Sequence, residues 1–277
     1  LRQTLERLRE ENNAHEKEIR RLSKALSDKT LFRFSKEFHV KSILGIGNGG
    51  CVFEAENKLD EWKYAVKRIS VEPIDELINK ALREVRAMAQ LDHPGIIRYN
   101  STWMERPPKE WQYDEDDESL NRIRSKKRQL LNYKADSVFI YIQMQLCNYS
   151  LTSWLKENTS SESRKLPRMK SWFKQIVSAV GYIHGKHLIH RDLKPCNILF
   201  VEKDRLKICD LGIVIERKME DGVEKTLTLT GSGTEEYMSP EQRGLVARLT
   251  SKSDVFTLGL ILTELCVVMD YKTKGEV

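Results

Sequence analysis

Eight consecutive residues in the second half of the chain carry the clearest potential for chemistry. Residues 190–197 read His-Arg-Asp-Leu-Lys-Pro-Cys-Asn, which brings Asp192, Lys194 and Asn197 close together along the chain. Asp210 follows Asn197 after thirteen positions. Carboxylate and amide oxygens are ligands that Mg²⁺ prefers, and a lysine beside them suits a phosphate group. A single Asp or Asn usually marks a turn, but a turn does not explain the whole group and its spacing.

A glycine-rich segment precedes this group by about 140 residues. Residues 45–52 fit the pattern G-x-G-x-x-G-x-V, with fixed positions at Gly45, Gly47, Gly50 and Val52. Glycines let a backbone close over phosphates where a Cβ atom would collide with them. A dinucleotide-binding loop leads from a strand into a helix, whereas strand-forming residues follow Val52 here. The alternative interpretation is an ordinary glycine-rich hairpin.

A lysine and a glutamate extend the candidate site. On a predicted strand, Ala65, Lys67 and Ile69 share one face, and the small Ala65 would leave room for an adenine ring. Glu84 lies on a predicted helix over residues 74–90, beside its apolar stripe. Separately, Lys67 would be an exposed strand lysine and Glu84 a solvated rim residue, but together they offer an ion pair.

These segments, in this order, resemble the eukaryotic protein kinases. Ser239-Pro240-Glu241 falls where that family has A-P-E, and the resemblance covers roughly residues 39–265. It implies a two-lobed kinase fold that uses ATP and Mg²⁺ to phosphorylate protein serine or threonine hydroxyls. Two positions depart from the pattern. Leu211 replaces the Phe of D-F-G, where another apolar side chain can still pack, and Ser239 replaces Ala.

The resemblance also implies a role for each site residue. Asp192 and Lys194 are expected to be catalytic, with Lys194 typical of the Ser/Thr type, and Asn197 and Asp210 to bind the metal. Asp254 matches the aspartate that supports the catalytic loop. The residues expected to contact ATP, directly or through Lys67, are Gly45, Gly47, Gly50, Val52, Ala65, Lys67, Glu84, Met144, Gln145 and Cys147. Among them, Met144 corresponds to the gatekeeper and residues 145–147 to the hinge that binds adenine.

A narrower resemblance points to the kinases of the translation initiation factor 2 alpha subunit. It rests on residues 82–85, 91–99, 141–147 and 233–242. Residues 147–154 look more like the heme-regulated member, and residues 107–111 more like the endoplasmic reticulum member; we favour the heme-regulated type. Cys-Pro, a heme-ligand dipeptide, does not occur in the sequence. In this family Arg33 and Glu37 resemble a pair that forms reciprocal salt bridges across a dimer of small lobes. A plain i,i+4 helix pair is the alternative.

The first 29 residues have the 3.5-residue period of a coiled coil. Apolar or special residues recur at steps of four and three from Leu1 to Leu26, and Asn12 and His15 lie in the middle of the seam. We expect this helix to pair with a second copy, so that the protein forms a homodimer through the coiled coil and the small lobe. The alternative is a lone amphipathic helix packed on the domain.

The remaining chain changes from short strands to helices, which predicts an α+β fold with a small lobe over residues 30–146 and a large lobe over 147–277. The predicted strands are 40–46, 51–55, 62–69, 96–104 and 138–145. The predicted helices are 74–90, 151–157 and 169–184, and the chain returns to helix from Glu241 onward, where residues 255–268 are strongly apolar and expected to be buried. Residues 107–136 are acidic and then basic without apolar periodicity, which indicates a flexible insertion. The chain stops soon after the last helix, so we expect the large lobe to be C-terminally truncated.

Bulk composition excludes several classes of protein. The net charge of +6 is mild and scattered, and does not favour nucleic acid binding. Five separated cysteines form no CxxC pair, so a disulfide framework or zinc site is not expected, and a cytoplasmic location fits. No apolar run is long enough for a membrane span.

Residues 213–238 would form the activation segment, with Thr230 and Thr234 the expected sites of autophosphorylation in trans. Phosphate there would pair with Arg191, although Thr234 also matches a family threonine that contacts the catalytic Asp. Two rival interpretations remain open. In the first, the chain is a catalytically impaired, dimerising or dominant-negative module instead of an active kinase. In the second, it is a coiled-coil scaffold that carries the lobe as a passenger.

Overall fold

The computed structural model describes residues 33–47, 50–106, 137–210, 215–216, 218–220, 223–225, 235–243 and 250–268. The N-terminal part is an antiparallel five-stranded sheet in the order β1-β2-β3-β5-β4. Its strands are β1 (Phe38–Gly47), β2 (Gly50–Asn57), β3 (Lys63–Val71), β4 (Tyr99–Glu105) and β5 (Val138–Gln145). A short helix, α1 (Arg33–Glu37), precedes β1, and a longer one, α2 (Asp75–Ala89), follows β3.

The two faces of the sheet belong to different cores because side chains alternate along each strand. The outer face buries aromatic residues with α1, including Phe34, Phe38, Trp103 and Tyr141. The inner face buries Ile140, Ile142 and Met144 of β5 in the same core as the apolar stripe of α2. This inner core continues without a break into the C-terminal part of the chain.

The C-terminal part is mainly helical. Its helices are α3 (Leu151–Glu157), α4 (Leu166–Gly185), α5 (Pro240–Arg243) and α6 (Ser251–Cys266), with 3₁₀ turns at Pro195–Asn197 and Glu235–Tyr237. Its short strands are β6 (Tyr149–Ser150), β7 (Leu188–Ile189), β8 (Ile198–Glu202), β9 (Arg205–Ile208), β10 (Ile215–Glu216), β11 (Lys218–Glu220) and β12 (Val223–Lys225). A sheet of order β6-β8-β9 packs on α4, whose Trp172 is completely buried.

Among the described residues, the strands and helices predicted between residues 40 and 184 agree with the structure, apart from shifted ends. The strand predicted from residue 96 begins at Tyr99, and Ile96 makes only an isolated parallel bridge to Ile208. The last helix is less buried than predicted, because Val255 and Phe256 are 57% and 41% exposed. The coiled coil over residues 1–29 and the insertion over 107–136 lie outside the described residues.

Candidate active site

The described residues of the glycine-rich segment belong to the paired strands β1 and β2. Gly45 pairs with Val52 and Gly47 with Gly50 in the antiparallel ladder. Gly50 has a φ of +115°, and a Cβ atom there would collide with the backbone carbonyl of Arg68 on β3, so the fold itself requires this glycine. Among the described residues, no heavy atom lies within 4 Å of a Cβ atom added at Gly45. The space at Gly45 is therefore available to a ligand.

Behind this hairpin, β3 and its neighbours align the residues expected around a nucleotide. Val52 lies opposite Lys67 on β3, and Ala65 lies opposite Met144 on β5. The side chains of Lys67 and Met144 are buried on the inner face of the sheet. The chain leaves β5 at Gln145, whose backbone N–H donates to the carbonyl of Arg98 at 3.0 Å.

Lys67 reaches from the N-terminal sheet to the segment that follows β9. Its Nζ donates to Asp210 Oδ1 at 2.8 Å, and only 8% of the lysine side chain is exposed. Burial works against ionisation of Asp210, but the Lys67 ammonium prevails and lowers the pKa of that carboxyl. Asp210 has a φ of +61°, a conformation that is uncommon for a non-glycine residue and that surrounding contacts must maintain.

The loop between β7 and β8 gathers the other charged groups. Lys194 Nζ donates to Asp192 Oδ2 at 2.7 Å, and Asn197 Nδ2 donates to the Asp192 carbonyl at 2.8 Å and to its Oδ2 at 3.2 Å. The backbone N–H of Cys209 donates to the carbonyl of Asn197 at 2.9 Å. This last bond joins the loop to the residue before Asp210, so the Lys67–Asp210 pair and the Asp192 group form one site.

Asp254 of α6 holds this loop from beneath and is 1% exposed. Its two oxygens accept the backbone N–H groups of His190 (2.9 Å) and Arg191 (2.8 Å). His184 Nε2 lies 2.7 Å from Asp254 Oδ2. Burial opposes ionisation of Asp254, but these hydrogen bonds and the His190 ring outweigh it and lower the pKa.

Two supporting contacts were not anticipated from the sequence. His184 was included only in a predicted helix, and Gln242, which donates to the Arg191 carbonyl at 3.0 Å, had no assigned contact to the loop. Both residues make side-chain contacts over a separation of 51 residues or more. A single sequence carries no local signal for such contacts.

Cys147 belongs to the segment that is expected to form the hinge. Cys147 is half-buried against the inner core. Burial raises the pKa of its thiol to about 11, and the nearby Lys207 ammonium opposes this shift only in part. The thiol is therefore neutral at physiological pH.

The donor set fits a magnesium ion. Asn197 contributes an amide oxygen and Asp210 a carboxylate, and the backbone bond between Cys209 and Asn197 fixes the two segments side by side. Within the described ranges, no group of three or more His, Cys, Asp or Glu side chains could hold a metal ion alone. Mg²⁺ is commonly held by one or two carboxylates together with substrate phosphates, so this sparse set suits a metal that arrives with a nucleotide.

Several expected site residues are not part of this group. The side chain of Glu84, and both Thr230 and Thr234, lie outside the described residues. Arg33 and Glu37 lie on α1, where Arg33 Nε and Glu37 Oε2 form an exposed i,i+4 ion pair at 2.9 Å within one chain. This is the plain alternative for that pair.

Comparison with known proteins identifies the family of the chain. Residues 38–273 match the protein kinase domain family. The chain is 40% identical over 246 residues to "Interferon-induced, double-stranded RNA-activated protein kinase" of Rattus norvegicus, covering 88% of the chain and 43% of that protein. It is 26% identical to "Eukaryotic translation initiation factor 2-alpha kinase pek-1" of Caenorhabditis elegans, covering 88% of the chain and 40% of the relative. It is also 26% identical to "eIF-2-alpha kinase GCN2" of Schizosaccharomyces pombe, covering 90% and 20%.

These relatives support the narrower resemblance in general but do not distinguish the heme-regulated subtype. The chain spans less than half the length of each of them. In the described part, no helix combines the length and apolar character needed to cross a membrane. The family match covers most of the chain, and the buried lysine and the Asp-Asn-Asp group lie in one site beside the glycine-rich hairpin. The chain therefore belongs to the protein kinase family, as a domain of the serine/threonine type.

Proposed function

We propose that this domain transfers the γ-phosphate of ATP to a serine or threonine hydroxyl of a protein. The contact between Lys67 and Asp210, next to Asp192, Lys194 and Asn197, carries the proposal. These contacts bring ammonium groups, two carboxylates and an amide together, which supports a site that binds phosphates and a metal and accepts a hydroxyl proton. Phosphoryl transfer depends mainly on such positioning and charge stabilisation.

Each side chain then has a distinct task. Asp192 accepts or orients the proton of the attacking hydroxyl, and Lys194 neutralises charge on the transferred group. Lys67 binds the α and β phosphates, with Glu84 as its expected partner on α2. Asn197 and Asp210 would hold Mg²⁺, which would supply positive charge to the phosphate oxygens. Gly45, Gly47 and Gly50 let the hairpin cover the phosphates.

The adenine would lie between the sheet and the hinge. Ala65 and Val52 would form its upper wall, and residues 145–147 would supply backbone hydrogen bonds. Met144 would limit the depth of the pocket. The alignment of Ala65 with Met144 across β3 and β5 supports this assignment.

We propose the alpha subunit of translation initiation factor 2 as the protein substrate, in a cytoplasmic enzyme that represses translation initiation under stress. Two of the relatives are named as kinases of this subunit. Within this group, residues 147–154 favour the heme-regulated type. A hemin titration monitored by Soret absorbance tests that subtype, and the absence of a saturable spectral shift would remove it for this domain.

Regulation by dimerisation and autophosphorylation is a further part of the proposal. A coiled coil over residues 1–29 would pair two chains, and Arg33 and Glu37 would bridge their small lobes. Pairing would raise the effective concentration of one activation segment at the other active site. Thr230 and Thr234 are the proposed phosphorylation sites. Mass spectrometry after incubation with ATP should find phosphate between residues 213 and 238.

The decisive experiment measures transfer of radiolabel from γ-labelled ATP to the initiation factor subunit and to a generic protein substrate. We expect Asp192→Asn to lower the rate by about 10²-fold or more, since general-base catalysis contributes on this order. Asp75→Asn, an exposed aspartate on α2, is the matched control and should retain activity.

The rival function is a catalytically impaired, dimerising module. Folded wild-type protein that binds ATP but labels neither substrate would favour this rival. Labelling of the generic substrate alone would retain the kinase and remove the proposed substrate.

A further inference from the structure

The turn between β8 and β9 is fastened to α4 by a set of side-chain hydrogen bonds. Asp204 Oδ1 accepts from Arg168 Nε at 2.7 Å and from Trp172 Nε1 at 3.0 Å. Gln175 donates to the Asp204 carbonyl at 2.8 Å and accepts from the backbone N–H of Leu206 at 3.1 Å. Arg168 also donates to the carbonyl of Lys203 at 3.2 Å. We call Arg168, Trp172, Gln175 and Asp204 the hairpin clasp.

The clasp residues of α4 are arranged for this contact. Arg168, Trp172 and Gln175 are spaced four and three residues apart, which places them on one face of the helix. The Arg168 guanidinium lies 4.6 Å from the centroid of the Trp172 ring. Trp172 itself is fully buried and packs edge-on against Phe200 of β8 at 4.7 Å. The clasp is therefore anchored in the core and not only at the surface.

The other end of the same hairpin carries the proposed metal ligands. Asn197 immediately precedes β8, and Asp210 follows β9 after Cys209. Ile198 and Ile208 are paired in the ladder, and Cys209 donates to the Asn197 carbonyl. A short hairpin held at its turn moves as one body, so a tilt at Asp204 would shift both ligands.

Helix α4 also holds the catalytic loop through its last turn. His184 contacts Asp254, which in turn binds the backbone of His190 and Arg191 ahead of Asp192. The loop and the hairpin are thus both attached to the same helix of 20 residues. This arrangement fixes the direction of the metal ligands relative to Asp192.

We infer that Arg168, Trp172 and Gln175 of α4, through Asp204, are positioning residues that set the placement of Asn197 and Asp210 for the divalent cation. The inference rests on the proposed kinase function, since it concerns the metal of that site. Residues that orient metal ligands from behind commonly change metal affinity by about 10- to 100-fold when they are replaced. The clasp lies farther away than a direct hydrogen-bond partner, so we expect the lower end of that range.

The test measures cation binding without requiring phosphate transfer. Mn²⁺ is titrated into the whole chain with ADP, and free Mn²⁺ is followed by electron paramagnetic resonance. We expect Gln175→Ala and Asp204→Ala to weaken Mn²⁺ binding by about 10-fold. The conservative Asp204→Asn, which keeps the accepting Oδ1, should restore most of the affinity. Glu202→Ala is the matched control, because Glu202 ends β8 beside the same turn and its carboxylate forms an exposed ion pair with Arg205 at 3.2 Å.

The possible outcomes separate this inference from the proposed function. Unchanged Mn²⁺ affinity in Gln175→Ala and Asp204→Ala, with a lower melting temperature, would overturn the inference and leave a purely structural clasp. Should Asp204→Ala fail to fold, Gln175→Ala decides alone, because it removes one side chain at a partly exposed position. Wild-type protein that binds Mn²⁺ and ADP but transfers no phosphate would overturn the proposed function. The Mn²⁺ affinities of Gln175→Ala and Asp204→Ala would still decide the inference.

Discussion

At the scale of single residues, the active site depends on a carboxylate that does not face the substrate. Asp254 accepts hydrogen bonds from His190, Arg191 and His184 while almost fully buried. Arg191 needs this support because its φ is +69°, which is uncommon for a residue with a side chain. The position of Asp192 therefore follows from α6 and α4 as much as from the loop itself.

We expect Asp254→Asn to lower the free energy of unfolding by about 3 kcal/mol at pH 7, since one amide nitrogen would face donors in a buried network. The pKa of Asp254 lies below its ordinary value of 3.8. Its contribution to stability is present above that pH and is lost as the pH falls through the folded-state pKa. Urea denaturation at pH 7 and at acidic pH measures both effects, and Asp92→Asn, at an exposed position, is the control. A penalty equal to that of the control would contradict this account.

The sequence predicts site residues that belong to a local motif, but it does not predict side-chain contacts between residues far apart in the chain. Asp192, Asn197 and Asp210 stand out by type and spacing, and the structure gathers them with Lys67. The contacts of His184 and Gln242 arise only when α4, α5 and α6 pack around the loop. Arg33 and Glu37 had two interpretations, and the structure shows the ion pair within a single chain, whereas the pair between chains stays a prediction.

At the scale of elements, contacts with the sheet stabilise helix α1, which is too short to be stable alone. Five residues cannot form a stable isolated helix. Phe34 stacks on Tyr141 at 4.8 Å, and Arg33 lies 4.4 Å from the Trp103 ring centroid. The Glu105 carboxylate accepts the Phe34 backbone N–H at 2.9 Å and Trp103 Nε1 at 2.7 Å. These contacts attach the segment that follows residue 32 to the outer face of β4 and β5.

We expect Glu105→Gln to retain this attachment and Glu105→Leu to lose it. Burial raises the pKa of Glu105 above its ordinary value of 4.5, in spite of the two hydrogen bonds. Wild-type stability should therefore fall as the pH rises from 4.5 through the raised pKa, whereas Glu105→Gln should show no such step. Glu105→Leu leaves two donors unsatisfied, at a cost of about 1–3 kcal/mol each. Melting curves from pH 4 to pH 8 test both, and parallel pH profiles for wild type and Glu105→Gln would refute the assignment.

Strand and helix types were predictable because hydrophobic periodicity and turn residues agree over most of the chain. The exposure of α6 was not predictable, because the apolar composition of a helix predicts burial but does not identify the elements that pack against it. The composition of Val255, Phe256 and their neighbours indicates a buried helix, whereas the described residues cover only part of its surface. Burial is a property of the whole packing and not of one segment.

At the scale of the whole molecule, dimerisation is the proposal with the greatest consequence, because activation in trans requires two chains. The first 29 residues would supply most of the association energy, since exposed ion pairs contribute only about 0–1 kcal/mol each. Removal of residues 1–29 should therefore shift the mass measured by light scattering toward that of a monomer. An unchanged mass would remove the coiled coil from the interface.

The pair of Arg33 and Glu37 permits a sharper test, because its two interpretations predict different results on mixing. Arg33→Glu or Glu37→Arg alone places like charges at positions 33 and 37 of each chain, so either variant loses the pair within a chain and between chains. Mixing the two variants cannot repair the pair inside a chain. It does restore opposite charges across a heterodimer if position 33 of one chain faces position 37 of the other.

Light scattering at low salt, where such charges are least screened, should then show weaker association of each variant alone and recovery in the mixture. If association is the same in all three samples, the proposed bridge between Arg33 of one chain and Glu37 of the other is refuted, and the ion pair at 2.9 Å belongs to α1 alone.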